Sequence, residues 1–140
     1  MRKLRLLFAV PVLVALTSPA GAVPKFYQVF KKDYLEKHPD KKFAEEMDKP
    51  DVRCLVCHQG KKKKDNRNAF GQQLAKLLDR KKDLKNDEKI SASIKKVLAM
   101  HVDPKDEKSE TYMDRLKASK WPAGELDDLK KEPKEAPKKE

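Results

Sequence analysis

Cys54-Leu55-Val56-Cys57-His58 places two thiols and an imidazole within five consecutive positions. A thiol can add across a vinyl group to form a thioether. Two intervening residues bring the two sulfurs to the two vinyl positions along one porphyrin edge, and the next residue can set an imidazole nitrogen over the iron. This is C-x-x-C-H, the attachment pattern of c-type haem. Cys54 and Cys57 would then anchor one covalently bound haem c (iron) per chain. His58 would be the proximal ligand, with its other ring N–H directed at a fixed acceptor. The chain has only two Cys and three His. Random placement would give this pattern on the order of once in three thousand arrangements, so the spacing is specific. Three other readings of the residues stay open. One is a disulfide across C-x-x-C. Another is half a zinc site completed by distant His or carboxylate ligands. The third is a redox dithiol, although no βαβ pattern surrounds the motif.

The second axial ligand of a soluble electron-transfer haem is usually Met or His, and Met raises the reduction potential relative to a His pair. The candidates are Met47, Met100, His101, Met113 and His38. On a helix with Ile90 at zero, Ile94 falls near 40°, Leu98 near 80° and Val97 near 340° (about 100° per residue). His101 falls near 20°, inside that apolar stripe, whereas Met100 falls near 280°, at its flank. His101 is therefore the favoured sixth ligand. Met113 is an alternative because it follows a long loop, and Met100 is another. His38 stands beside Pro39 on a polar stretch and reads as a surface residue.

The elements that must position these groups are helical. Phe26, Phe30 and Tyr34, with Val29 alongside, form a stripe over Pro24 to Glu36. Asp40 is a good N-cap for a helix to about Asp48, with Phe43, Ala44 and Met47 on one side. Arg53 to Asn66 reads as irregular, or as a turn of helix followed by a basic loop. Asn68 to Arg80 predicts a helix with Phe70, Leu74, Leu77 and Leu78 on one face. Asn86 caps another, Asp87 to about His101. Thr111 to Lys120 is the last full helix, stopped by Pro122-Ala123-Gly124, and Glu125 to Lys130 adds one turn. Trp121 reads as a cap on that last helix, with stacking near a haem or donation to a propionate as the alternative. There is no convincing strand. The fold class is all-α, a small helical domain around the haem.

The 140 residues allow one small domain and exclude a large multi-domain enzyme. Charged residues are 41% and hydrophobic residues 38%, so a large self-sufficient core is not expected. A buried haem would enlarge it. Phe26, Phe30, Tyr34, Phe70, Leu74, Leu77, Ile94 and Leu98 are candidate wall residues, or ordinary helix packing.

At the N-terminus, Arg2, Lys3 and Arg5 precede the apolar run Leu6 to Leu16, and Ala20 and Ala22 stand at A-x-A spacing. This is the layout of a secretory signal peptide over residues 1–22. The run is short of the roughly 20 residues a spanning helix needs, so no stable membrane insertion is expected, and an uncleaved anchor is the alternative. The domain would span 23–130. Residues 131–140, built of Lys, Glu, Pro and Ala, read as a disordered tail.

The net charge is +11, and cleavage after Ala22 would remove three basic residues and leave +8. Lys61 to Lys64 follow the motif after Gln59 and Gly60. They could form a rim that steers an acidic redox partner, or simply a solvated loop. Export and the interleaving of acids with bases argue against nucleic acid.

The sequence resembles monohaem cytochromes c. More narrowly, Cys57-His58-Gln59-Gly60-Lys61-Lys62-Lys63-Lys64, Arg67-Asn68-Ala69-Phe70-Gly71, Tyr112-Met113-Asp114-Arg115-Leu116-Lys117-Ala118 and Pro122-Ala123-Gly124 are similar to a group of small exported cytochromes of planctomycete bacteria. The resemblance implies a covalent haem, a cytochrome c-like helical fold and electron transfer. The chain departs from the best-known pattern in having no Gly-Pro-x-Leu loop after the motif, which leaves the partner of the proximal His unassigned. The expected protein is a periplasmic, monomeric one-electron carrier and not an enzyme. The alternatives are a haem enzyme or sensor with an open sixth iron position, for peroxide or a small gas, and a haem-free basic binding protein held by a disulfide.

Overall fold

The computed structural model describes residues 24–61 and 66–133. The expected leader, residues 62–65 of the basic loop and residues 134–140 of the expected tail lie outside them. The described residues are mostly helical and form no sheet. The all-α expectation holds at that level.

Helix α1 (Lys25–Phe30) runs into one π-helical turn, Lys31–Leu35. The wider turn shifts the expected stripe. Tyr27, Val29, Phe30 and Leu35 are buried, while Phe26 and Tyr34 are only partly so. Helix α2 (Lys41–Asp48) starts where expected, because the Asp40 carboxylate accepts the Phe43 N–H at 3.1 Å. A 3-10 turn, Arg53–Val56, carries Cys54.

Helix α3 (Ala69–Leu77) begins at its Asn68 cap but stops before the expected Arg80. Leu78 is extended, and the Asp79 carboxylate accepts from the Lys81 and Lys82 N–H groups, starting the short α4 (Arg80–Asp83). A second N-cap thus divides one apolar pattern into two helices.

Helix α5 (Asp87–Leu98) is capped by Asn86 as expected, but it ends three residues before His101. Past Leu98 the backbone pairs across a loop. Val102 donates to the Glu110 carbonyl at 3.0 Å and Tyr112 to the Met100 carbonyl at 3.1 Å. Helix α6 (Tyr112–Lys117) opens on a capping box made by Thr111 and Asp114, and α7 (Leu126–Leu129) follows.

Ile90, Ile94, Val97 and Leu98 of α5 are buried against α1 and α3. Phe30 meets Phe70 at 6.2 Å between ring centroids, and Phe70 meets Tyr112 at 5.4 Å. The candidate wall residues all belong to this one apolar cluster. Trp121 is buried in it too, and its carbonyl accepts from Arg115 Nε at 2.9 Å. Among the described residues no helix is long and apolar enough to cross a membrane.

His38 corrects the sequence reading. It is buried at 5% exposure, not on the surface. Its Nε2 donates to the Leu116 carbonyl at 2.8 Å, and its Nδ1 accepts the Asp40 N–H at 3.1 Å. Polar neighbours in sequence concealed a histidine whose two nitrogens are satisfied by backbone 78 and 2 residues away.

Candidate functional site

The Cys54–His58 turn is built almost entirely from its own carbonyls and one asparagine. The Cys54 carbonyl accepts from His58 N at 2.9 Å and Cys57 N at 3.3 Å. The carbonyls of the next four residues are held by Asn68. Its Nδ2 lies 2.8 Å from Leu55 O, 3.2 Å from Val56 O and 3.1 Å from His58 O, and its backbone N–H donates to Cys57 O at 3.1 Å. The Asn68 Oδ1 accepts the Gly71 N–H at 2.9 Å, so the same side chain caps α3. Helix and turn lie so close that a Cβ on Gly71 would overlap the Cys57 carbonyl. Glycine is needed there for space, since its φ is helical.

His58 is half-buried, and its Nδ1 lies 3.1 Å from the Asn66 carbonyl. A carbonyl can only accept, so Nδ1 carries the proton and Nε2 is the basic nitrogen. The sequence left the acceptor unassigned, and Asn66 supplies it. The same carbonyl accepts Gln59 N–H at 3.1 Å, which uses both its lone pairs. This is the outer-shell arrangement expected of a metal-ligating histidine.

Cys54 and Cys57 are half-buried, and their sulfurs are not bonded to each other. Burial first, and the neighbouring Cys54 second, push the Cys57 thiol up to about 12. It stays a neutral thiol at physiological pH. Among the described residues no group of three or more His, Cys, Asp or Glu could hold a metal ion, so no four-ligand zinc site is assembled around the two thiols.

His101 stands in a setting that repeats that of His58. Each forms an isolated antiparallel bridge, His58 with Arg67 and His101 with Thr111. Each directs Nδ1 at a backbone carbonyl eight residues on, His101 at Ser109 O with 2.6 Å. Both bridges lead directly into a capped helix, α3 and α6. The angular argument that favoured His101 does not survive, because the helix ends at Leu98. What the structure offers instead is a fixed tautomer with Nε2 basic.

The other sixth-ligand candidates are placed differently. Met47 has no exposed surface and lies in the core. Met100 occupies the turn after α5, half-buried. Met113 lines a shallow pocket of about 270 Å³ with Tyr34, His38 and Leu116. That pocket, and a second of about 170 Å³ beside α2, include no residue of the Cys54–His58 turn.

The donor chemistry of the turn fits a covalently attached haem: two unbridged thiols at the right spacing, and an imidazole held through Nδ1 with Nε2 as its basic nitrogen. Sequence reasoning missed Asn66, Asn68 and Gly71 as parts of this site. For Asn68 a clue existed, since a cap residue ten positions after His58 fixes how far α3 stands from the turn. No family model, curated protein or solved structure matches the chain.

Proposed function

We propose that this chain is a monohaem c-type cytochrome that carries single electrons between redox partners after export to the periplasm. The observation that carries the proposal is the Asn66 carbonyl 3.1 Å from His58 Nδ1, inside a C-x-x-C-H turn whose two sulfurs are not bonded to each other. Bound there, the haem supplies a ferric–ferrous couple. The chain's own residues do the rest. Cys54 and Cys57 tether the group, and Asn68 keeps their turn in shape. Asn66 fixes the His58 tautomer and raises the basicity of Nε2. Outer-sphere transfer needs no general base or nucleophile, and none is assigned.

The Ser109 carbonyl does for His101 what Asn66 does for His58, which supports His101 as the sixth ligand over Met100 and Met113. Lys61 is exposed beside the turn and fits a basic rim for an acidic partner.

The test is the visible spectrum of the mature chain, ferric and ferrous, from a host that matures c-type cytochromes, with a haem stain after denaturing electrophoresis. A stained band with a low-spin spectrum is expected. A far-red methionine–iron band would move the sixth ligand to Met100 or Met113. A high-spin spectrum with rapid CO or cyanide uptake would replace the carrier by an enzyme or sensor with an open position. An unstained band would end both haem readings.

A further inference from the structure

The geometry points to Glu132 as a positioning residue for His58, acting through Asn66. This rests on the haem reading for its electrochemical consequence only.

The segment from α7 to Glu132 folds back over the loop that follows the motif. Leu129 anchors it at 3% exposure, and its carbonyl accepts the Gly60 N–H at 2.8 Å. The Asp128 carbonyl accepts from Gln59 Nε2 at 3.3 Å. The Glu132 carboxylate then reaches Lys61 and Asn66 together. Oε1 accepts the Lys61 N–H at 2.9 Å, and Oε2 accepts Asn66 Nδ2 at 2.8 Å.

Asn66 is 8% exposed. Its side chain is held by Glu132 while its backbone carbonyl holds His58. The two ends of one residue therefore link the Glu132 side-chain carboxylate to the imidazole. Gly60 also lies directly against this carboxylate. Its φ is +75°, and a Cβ there would stand 2.6 Å from Glu132 Oε2. The sequence reading began the disordered tail at Lys131, whereas the Glu132 carboxylate is bonded to Lys61 and Asn66.

The experiment uses the full mature chain and reads the exchange rate of the His58 Nδ1 proton by NMR. Glu132→Ala should speed that exchange about tenfold, the loss expected for a charge-assisted hydrogen bond one residue removed. Asn66→Asp alone should do at least as much, because it sets two carboxylates against each other. The double variant Asn66→Asp with Glu132→Gln reverses donor and acceptor and should bring the rate back to within about threefold of the wild type.

Unchanged exchange in both single variants overturns the proposal, as does failure of the double variant to restore it. If a single variant loses protection across the fold, seen at the Ile94 and Val97 amides, the double variant still decides by restoring it or not. In the haem-loaded chain Glu132→Ala should shift the reduction potential upward, since a less basic imidazole and a lost negative charge both favour ferrous iron. A chain that takes up no haem ends the cytochrome reading, and the proton-exchange measurement still decides the role of Glu132.

Discussion

The rings of Phe70 and Tyr112 meet edge to face, 5.4 Å between centroids and 72° between planes. Phe70 lies in the first turn of α3, just after the Asn68 cap, and Tyr112 opens α6, just after Thr111. The contact thus joins the two loops that hold His58 and His101. One ring pair in the core thus ties the two histidine-bearing loops together, and close packing there resists their relative movement.

Phe70→Ala removes the shared ring from a position with no exposed surface. The expected loss is about 3–5 kcal/mol, measured by denaturant unfolding. The Phe30–Phe70 contact at 6.2 Å is lost with it. Phe26→Ala, at a partly buried position, should cost clearly less.

Asn68→Ala and Asn68→Asp separate the two tasks of one side chain. Alanine loses the cap on α3, about 1 kcal/mol, and leaves Leu55 and Val56 carbonyls without their donor, a further 1–3 kcal/mol or about that. Aspartate keeps the cap but turns a buried carboxylate toward three carbonyl oxygens. It should be the more destabilising of the two in thermal unfolding, although Asp is the equal of Asn at an N-cap.

Gly71→Ala reverses the usual sign of a helix substitution. Propensity alone predicts a gain of about 1 kcal/mol. The overlap with the Cys57 carbonyl should give instead a loss of about 1–3 kcal/mol. In a haem-loaded preparation, the haem-stained fraction should fall with it.

The Cys57 thiol makes attachment readable from pH dependence. Its value is raised from 9.0 to about 12 in the folded chain. A group raised in this way contributes stability that is fully present below pH 9 and lost as pH rises toward about 12, because the unfolded chain releases its proton first. Unfolding curves of the haem-free chain should show this alkaline loss, and Cys57→Ala should lack its share. A thioether has no proton to lose, so the haem-loaded chain should lack it as well. Equal alkaline slopes in the free and loaded chains would mean that Cys57 is not attached.

Much of the frame was legible because its signals are local. Asp40 and Asn86 cap helices as their side chains and the pattern behind them predict, and the helices read as starting at Asn68 and Thr111 begin there, with those two residues as the caps. C-x-x-C-H was legible for the same reason. The acceptor for His58 was not, because a backbone carbonyl leaves no mark on the sequence, and Asn66 is fixed by loop closure. His38 was misread because its partner is 78 residues away. The helical wheel failed at His101 because it extended α5 past Leu98, where pairing with residues 110–112 takes over the backbone. Glu132 was hidden by composition, since a Lys, Glu and Pro-rich segment carries no periodicity to mark one docked carboxylate.

The bond between Asn66 and Glu132 spans 66 residues, and this separation dictates an order of assembly. Closing so long a loop is entropically unfavourable until both ends exist and the intervening helices have packed. A chain that emerges amino end first presents Cys54, Cys57 and His58 long before the carboxylate that completes their loop. In that interval Asn68, only ten to thirteen residues away, already braces the Cys54–His58 turn, and the docking of Glu132 on Asn66 is the late, long-range step that completes the support of the His58 acceptor.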